Sequence, residues 1–378
     1  MSLMKQTAII VLRQNKKDDW EFNEFKSLVE SADYEVIHSI RQIRKEDSKY
    51  NIGKGKILYL KNLIDELMPD KVIFGNDLKP NQYVNILKEL NIEDERLLDR
   101  IMLVLEIFDK RAGTLEAKLQ IELARTSYYV SIYKEKIKQI KKKEKPGFHG
   151  LGRYPVDAYY RELNKRMIKL KEKISSLRKH REIHRRYRKR KGFYIVSLVG
   201  YTNAGKSTLL NKLTNSNVPV DQKMFTTLGT YTRLLPENHK NYHNNGSILI
   251  TDTIGFVYNL PPFLIDAFLS TLEEITYSDL ILIVLDLSDP LEIIIKKITT
   301  CNEILAALNA NDIPKILVLN KIDIVSKDKV NQVKSYLTQL FDKIISISAK
   351  NEINLEILKQ EILNIKDYLM KKHQYYMS

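Results

Sequence analysis

The chain has little cysteine and no long apolar segment. Cys301 is its single cysteine, which excludes an internal disulfide and fits a reducing compartment. No run of eighteen apolar residues occurs, and stretches such as Leu280–Leu287 are only of strand length. The apolar run after Lys5 is too short for the core of a signal peptide. The sequence therefore predicts no integral membrane segment, and we expect a cytoplasmic protein.

Acidic residues are scarce in one part of the chain. The formal net charge is +15 over 378 residues. Between Ser131 and Lys191 there are 23 Lys and Arg but 6 Asp and Glu, a net charge of +17, whereas the remainder carries −2. So concentrated an excess indicates a polyanionic partner, and nucleic acid is favoured over a membrane surface. The apolar residues of this segment form a narrow seam without the broad aromatic face of a membrane-surface helix.

Three regions differ in the period of their apolar residues. Residues 1–112 alternate short apolar runs with amphipathic stretches, which predicts a small parallel α/β domain. Residues 113–191 predict a basic antiparallel coiled-coil helical hairpin, and residues 192–366 return to the alternation of a doubly wound nucleotide-binding domain. Residues 367–378 are interpreted as a C-terminal tail. In the first region the predicted strands are Thr7–Leu12, Glu35–Ile40, Lys71–Phe74 and Arg100–Phe108.

The hairpin prediction depends on two runs with steps of four and three. Such a repeat gives each helix one apolar seam, and Pro146–Pro155, rich in glycine, breaks the pattern between them. The predicted seam residues are Leu119, Leu123, Thr126, Val130, Tyr133, Ile137 and Ile140 in the first helix, and Tyr160, Leu163, Met167, Leu170, Ile174 and Leu177 in the second.

A glycine-rich loop lies between the apolar strand Tyr194–Val199 and a helix that includes Thr208. Its pattern is that of a P-loop, whose backbone N–H groups surround phosphates at a helix N-terminus. Lys206 is predicted to reach the β- and γ-phosphates, and the Ser207 hydroxyl to ligate Mg²⁺. The loop consists of Gly200, Tyr201, Thr202, Asn203, Ala204, Gly205, Lys206 and Ser207.

Two further loops follow predicted strands in the order expected of a P-loop protein. Asp252 ends the strand Ile248–Thr251 and is predicted to hold Mg²⁺, while the Gly255 N–H is expected to contact the γ-phosphate. Between the P-loop and Asp252, Phe225, Thr226 and Thr227 precede another strand. A threonine there can close on Mg²⁺ and the γ-phosphate, and we prefer Thr227 to Thr226; the alternative is a strand-edge threonine pair.

Base recognition is predicted at the next two strand ends. Asn320, Lys321 and Asp323 follow the strand Ile316–Leu319. A carboxylate at Asp323 can accept hydrogen bonds from both N1–H and N2–H of guanine, which adenine does not offer. After the last strand, Ser348, Ala349 and Lys350 fit the loop that supports the base, although alone they could be an ordinary turn. Together the motifs predict a GTP- and Mg²⁺-binding, Ras-like P-loop G domain that hydrolyses GTP to GDP, with Lys206, Thr227 and Gly255 as the catalytic candidates.

The sequence resembles the HflX family of ribosome-associated GTPases over almost its whole length. The motifs that carry the resemblance are Asp252–Phe256, Phe225–Leu228, Tyr50–Lys56, Asp70–Phe74 with Asn81 and Gln82, and Arg111–Leu123. The resemblance implies binding to the large ribosomal subunit and splitting of stalled ribosomes. The positive charge of the hairpin predicts that it contacts ribosomal RNA. The tip around Phe148–Asp157 departs from the family's usual glycine-rich sequence.

Phe256 bears on the rate of hydrolysis. Many small GTPases place a glutamine directly after the glycine that matches Gly255, where it orients the attacking water. Phenylalanine cannot do this, so we expect slow intrinsic turnover. Separately, we expect the protein to be a monomer. Two alternatives remain open: an RNA-binding or ribosome-assembly factor gated by nucleotide without splitting activity, and a membrane-surface regulatory GTPase.

Overall fold

The structure is a computed structural model that describes residues 5–143, 153–218, 220, 224–225, 231–236, 247–258, 264 and 269–377. The chain divides into two compact units. The first comprises residues 1–177 with 261–267, and the second comprises residues 178–260 with 268–378. Each unit contains its own β-sheet.

The first unit is built on a four-stranded parallel sheet in the order β2-β1-β3-β4. Its strands are buried at the centre, where Ala8 to Leu12 of β1 are fully inaccessible. This is the predicted small parallel α/β fold. The strands are β1 (Gln6–Gln14), β2 (Tyr34–Ile43), β3 (Lys71–Phe74) and β4 (Leu97–Leu98), and the helices are α1 (Asp19–Ser31), α2 (Lys54–Leu67), α3 (Pro80–Leu90) and α4 (Arg100–Arg111).

The predicted strand Arg100–Phe108 is wrong, because these residues form helix α4. Asp99 caps the helix: its side chain accepts a hydrogen bond from the Met102 N–H at 2.9 Å. The apolar residues of α4 are buried almost all round, so the sequence shows a continuous apolar run without helical periodicity. The strand of this part of the sheet is the two-residue β4, just before the cap.

Helices α5 (Leu115–Lys143) and α6 (Arg153–Arg190) form the predicted antiparallel hairpin. Arg166 of α6 donates to Glu122 of α5 at 2.7 Å, and nearer the tip the rings of Tyr133 and Tyr159 have centroids 4.7 Å apart. From the first pair to the second, the residue number increases on α5 and decreases on α6, so the two helices are antiparallel.

Helix α5 also has a second apolar face that the seam pattern did not predict. The residues of this face are at most 6% exposed and lie three or four positions apart, on the side that packs against α3 and α4. The first arm of the hairpin is therefore part of the core of the first unit. The second face consists of Ala117, Ile121, Ala124, Tyr128 and Ile132.

The second unit contains a six-stranded sheet in the order β10-β9-β8-β5-β7-β6, in which only β6 is antiparallel to its neighbour. The strands are β5 (Tyr194–Val199), β6 (Tyr231–Leu234), β7 (Ile248–Asp252), β8 (Leu280–Asp286), β9 (Lys315–Asn320) and β10 (Ile344–Ser346). The helices described in this unit, besides the end of α6, are α7 (Lys206–Thr214), α8 (Leu269–Thr276), α9 (Leu291–Ala307), α10 (Lys327–Leu337) and α11 (Leu355–Met377).

The C-terminal segment does not separate from the last helix. Helix α11 runs from Leu355 to Met377, so the boundary predicted at residue 366 falls inside it. Leu355, Leu358 and Ile362 pack into the core of the second unit. Across the described part of the chain, no helix is long and apolar enough to cross a bilayer.

Candidate nucleotide-binding site

Four loops meet at the carboxyl edge of the six-stranded sheet. They follow β5, β7, β9 and β10 and begin at Gly200, Thr253, Lys321 and Ile347. Because β5, β7, β8 and β9 are neighbouring parallel strands, their carboxyl ends lie side by side, which is where open α/β sheets bind ligands. The structure thus brings the P-loop, the Asp252 loop and both predicted base-binding loops to one edge.

Two P-loop positions require glycine. Gly200 has φ +150°, and a Cβ there would lie 2.2 Å from the Val284 carbonyl oxygen of β8. Gly205 has φ +91°, and a Cβ there would lie 2.3 Å from Nδ2 of Asn320. Since neither position has room for a side chain, the loop can pack directly on β8 and on the Asn320 loop.

Lys206 is 6% exposed at the first turn of α7. Its ammonium group donates to the carbonyl oxygens of Gly200 at 3.0 Å and of Tyr201 at 2.8 Å, which holds the side chain back along its own loop. Burial lowers the pKa of Lys206 below its ordinary value, and the nearby Asp252 carboxylate opposes this shift. The buried ammonium group of Lys206 is therefore suited to bind an anion at the P-loop.

Ser207 and Asp252 are hydrogen-bonded side chain to side chain. The Ser207 hydroxyl donates to Oδ2 of the fully buried Asp252 at 2.6 Å. A hydroxyl and a carboxylate are oxygen ligands of the kind that Mg²⁺ prefers. Among the residues that the structure describes, no three His, Cys, Asp or Glu side chains converge on a metal site. The pair fits a Mg²⁺ ion that takes its remaining ligands from phosphate and water, as in P-loop proteins.

The Asp252 loop is joined to the P-loop through the backbone. Phe256 N–H donates to the Gly200 carbonyl at 3.0 Å, and Thr202 N–H donates to the Phe256 carbonyl at 2.9 Å. Gly255 lies between them, where a Cβ would be 2.8 Å from Cγ2 of Thr202. The Phe256 side chain is fully buried and directed into the core, so it is not available to position water.

Asn320 connects the P-loop with the last loop. Its Nδ2 donates to the Ala204 carbonyl at 2.9 Å, and its Oδ1 accepts from the Ala349 N–H at 2.9 Å. Asn320 is 2% exposed and Ala349 1%. The amide therefore fixes the distance between the segments predicted to contact the phosphates and the base.

Lys321 and Asp323 occupy the turn after β9. Lys321 has φ +68°, and its ammonium group pairs with Oδ2 of Asp286 at 2.6 Å. Burial alone would raise the pKa of Asp286, but hydrogen bonds from Lys321 and Ser288 outweigh it and hold the pKa below its ordinary value. Asp323 lies in a short 3₁₀ turn with its side chain exposed. It is thus accessible to a ligand at this edge.

The remaining predicted residues have varied positions. Tyr201 is buried, Asn203 has φ +61°, and Thr208 lies in the first turn of α7. Beyond the Asp252 loop, Ser348 is fully buried and its hydroxyl accepts from the Asn351 N–H at 3.1 Å, whereas Lys350 is exposed.

The predicted switch segment lies largely beyond the part that the structure describes. Thr226 and Thr227 are outside the described residues. Phe225, just before them, is described: it is 2% exposed, with φ +59°.

Sequence reasoning missed a group of residues behind the P-loop. The Lys297 ammonium group of α9 lies 5.3 Å from the ring centroid of Tyr201 and forms an ion pair with Asp289 at 2.6 Å. Asp286, the partner of Lys321, was also missed. Asp286 ends a strand, as Asp252 does, and this placement could have identified it. Nothing in the sequence marks Lys297.

Comparison with known proteins identifies the family. Three family models match consecutive parts of the chain: GTP-binding GTPase N-terminal over residues 19–109, GTP-binding GTPase Middle Region over 111–188, and 50S ribosome-binding GTPase over 195–321. The GTPase HflX of Thermococcus kodakarensis is 41% identical over 371 residues, which cover 96% of this chain and 82% of the relative. The GTPase HflX of Thermofilum pendens is 43% identical over 363 residues, covering 96% and 84%.

Solved structures agree with these relatives. The crystal structure of SsGBP with GDP is 30% identical and has a TM-score of 0.54, covering 96% of this chain and 99% of the other. A GTP-binding protein from Sulfolobus solfataricus in complex with GDP is 28% identical with a TM-score of 0.50, at the same coverage. With a P-loop built around Lys206 and relatives that match over nearly the full length, this chain belongs to the HflX family of GTPases, proteins that bind and hydrolyse GTP.

Proposed function

We propose that this GTPase is a nucleotide-dependent switch that associates with the large ribosomal subunit by contacting ribosomal RNA. The observation that carries the proposal is the net charge of +17 in residues 131–191, most of which belong to α5 and α6. A positively charged helical arm is suited to a phosphate backbone. The family model that matches residues 195–321 is described as a 50S ribosome-binding GTPase, which supports the same partner.

The geometry of the G domain supports a specific role for each loop. The backbone N–H groups of residues 200–208 would surround the phosphates, and Lys206 would exchange its two loop carbonyls for phosphate oxygens. Asp323 would accept hydrogen bonds from guanine. Asn320 holds this loop against the P-loop, and Lys321 holds it against the end of β8. Ser348, Ala349 and Lys350 would border the base.

The Ser207 hydroxyl and the Asp252 carboxylate would hold Mg²⁺, Asp252 through a water molecule. When bound, the ion neutralises charge on the β- and γ-phosphates. Thr227 is our candidate for the threonine that closes over the γ-phosphate in the GTP state and withdraws after hydrolysis.

Hydrolysis would depend on electrostatic stabilisation by the P-loop rather than on a side chain that orients water. The residue after Gly255 is the buried Phe256, so the charge that develops on the phosphates would be met by Lys206 and backbone N–H groups, including that of Gly255. Such a site turns over slowly by itself, as a switch that waits for its partner requires.

Cosedimentation with purified ribosomal subunits tests the proposal. The protein is mixed with large or small subunits in the presence of a non-hydrolysable GTP analogue or GDP. We expect binding to the large subunit in the GTP-analogue state and weaker binding in the GDP state. Absence of binding in both states would refute the ribosomal role without affecting the assignment as a GTPase.

Light scattering of intact ribosomes then distinguishes splitting from binding alone. A fall in scattering with the GTP analogue, and none with GDP, would establish splitting. Binding to the subunit without any fall would favour the alternative of an assembly factor whose RNA affinity is gated by nucleotide. We further propose that the protein acts as a monomer in the cytoplasm.

A further inference from the structure

An open cleft of about 790 Å³ runs along helix α5 in the first unit. Residues of α5, including Ile137, line the cleft together with Pro80 at the start of α3 and Tyr160 of α6. The volume is within the range of small-ligand sites in proteins. The cleft also contains four exposed lysines of α5: Lys134, Lys138, Lys141 and Lys142.

The charge of the cleft limits what can bind there. Its acidic residues are Glu135, which is 3.5 Å from Lys138, and Asp157 of α6. Four lysines and two carboxylates give the lining a net charge of +2. That charge balances the two phosphodiesters that flank one nucleotide in an RNA strand. A free nucleoside triphosphate carries a charge of about −4 and would remain under-neutralised.

The apolar part of the lining favours a planar group beside these charges. Tyr160 is half-buried and lines the cleft together with Ile137. Bases of unpaired nucleotides stack on such aromatic rings, and this stacking is tolerant of sequence. A duplex is too wide to enter a cleft of this volume, so its paired bases could not reach Tyr160.

We infer that this cleft binds one unpaired RNA nucleotide, with its base against Tyr160 and Ile137 and its flanking phosphates on the lysines of α5. The inference rests on the proposed function, since it names the RNA feature that the basic hairpin recognises. It adds a preference for bulged or looped nucleotides to what would otherwise be a contact with any phosphate backbone.

The test compares three short, fluorescently labelled, blunt-ended RNA duplexes by anisotropy, using the full-length protein. One is perfectly paired, one has a single bulged adenosine, and one has a bulged position without a base. We expect the bulged adenosine to bind at least about fivefold more tightly than the other two, because only it offers a base to stack. Millimolar AMP should not displace it.

Two sets of variants locate the effect. Tyr160→Ala should remove the preference for the bulged adenosine and leave the affinity for the perfect duplex unchanged, while Tyr160→Phe should retain it. The double variant Lys138→Gln/Lys141→Gln should weaken binding of the bulged RNA more than the matched control Lys165→Gln/Lys169→Gln, whose exposed lysines lie on α6 outside the cleft. The lysines replaced in both double variants are exposed, so this comparison does not depend on whether the fold tolerates a change at Tyr160.

Several results would overturn the inference. Equal affinity for all three RNAs would show that no base is bound, while leaving the proposed contact of the hairpin with RNA intact. Competition by AMP would assign the cleft to a free nucleotide. If none of the RNAs bound at all, the proposed RNA contact of the hairpin would fail as well, so the two failures are distinguishable.

Discussion

At the scale of single residues, the loop that we propose binds guanine combines a buried residue with an exposed one. Asn320 is 2% exposed and connects Ala204 with Ala349, so a change there would disturb two loops together. Asp323 is exposed in a short turn, so its side chain can be altered with little effect on the fold. Asp323 is therefore the cleaner position for testing base recognition.

Asp323→Asn should weaken GTP binding by about two orders of magnitude or more, because a neutral amide cannot accept both guanine donors. The variant should gain affinity for xanthosine triphosphate, whose base has an oxygen at C2. Titration of both nucleotides against wild type and variant checks this. Unchanged GTP affinity in the variant would contradict the guanine assignment.

Substitution of Lys206 should affect the rate of GTP hydrolysis far more than substitution of Phe256. Lys206→Ala should abolish hydrolysis, since it removes the buried cation that we propose stabilises charge on the phosphates. Phe256→Leu keeps an apolar side chain in the core and should leave the basal rate within about tenfold of wild type.

Single-turnover hydrolysis of both variants measures this difference, with GTP affinity as a control for folding. A Phe256→Leu protein that binds GTP but is as inactive as Lys206→Ala would show that Phe256 takes part in the reaction.

The sequence predicted which loops of the G domain would lie together, but not the side-chain contacts that join them. The order and spacing of Gly200–Ser207, Asp252 and Asn320–Asp323 predicted which loops would meet, because parallel strands place their carboxyl ends together. The ion pair of Lys297 with Asp289 and its contact with Tyr201 join segments far apart in sequence. No local pattern encodes such pairs, because they depend on how α9 packs beside the P-loop.

At the scale of elements, the sequence predicted the amphipathic strands and helices well and misjudged those buried on several sides. Arg100–Phe108 was mistaken for a strand because α4 is apolar nearly all round. On α5 the sequence pattern predicted one seam but not the second face, since its Ala117 and Ala124 are too small to stand out in a hydrophobic pattern. Burial on two sides weakens the periodicity on which such predictions depend.

The cap of α4 should make the stability of the first unit depend on pH. Asp99 is fully buried and accepts hydrogen bonds from Leu78 N–H at 3.1 Å and the Tyr128 hydroxyl at 2.8 Å, besides capping α4. Burial raises the pKa of Asp99 to about 7, against the opposing effect of hydrogen bonds from Met102 and Tyr128. In the unfolded chain this carboxyl titrates near pH 4.

Because the folded state holds its proton more tightly, the contribution of Asp99 to stability should decline as the pH rises from about 4 to about 7. Asp99→Asn cannot titrate, so the advantage of wild type over the variant should be larger at about pH 5 than at about pH 8. Urea unfolding followed by the fluorescence of Trp20, the single tryptophan, reports on α1 of this unit. A difference in unfolding free energy that is the same at both pH values would contradict this prediction.

At the scale of the whole molecule, charge is distributed very unevenly. The segment 131–191 carries +17 and the rest of the chain −2, so attraction to a polyanion should depend on the hairpin. Six phosphate contacts would give a slope of log affinity against log salt of roughly −4 to −5.

Replacing Arg185, Arg186, Arg188 and Arg190 at the end of α6 with glutamine should weaken binding to large subunits and flatten the salt dependence. GTP affinity of the free protein should barely change. A control in which four exposed lysines elsewhere are changed to glutamine lowers the net charge equally; these are Lys26, Lys327, Lys334 and Lys343. Cosedimentation over a salt series measures the affinity for large subunits and its salt dependence in both variants. An unaltered slope of log affinity against log salt in the arginine variant would remove this cluster from the interface.

The two apolar faces of α5 have a consequence for the modularity of the protein. A hairpin cut out at residue 113 would leave Ala117, Ile121, Ala124, Tyr128 and Ile132 facing water, although in the intact chain they are at most 6% exposed. Such a stripe would drive self-association of the excised fragment. The N-terminal domain and the hairpin therefore form one module. A hairpin taken from another protein would fit this domain only if it kept the small residues on that face of α5.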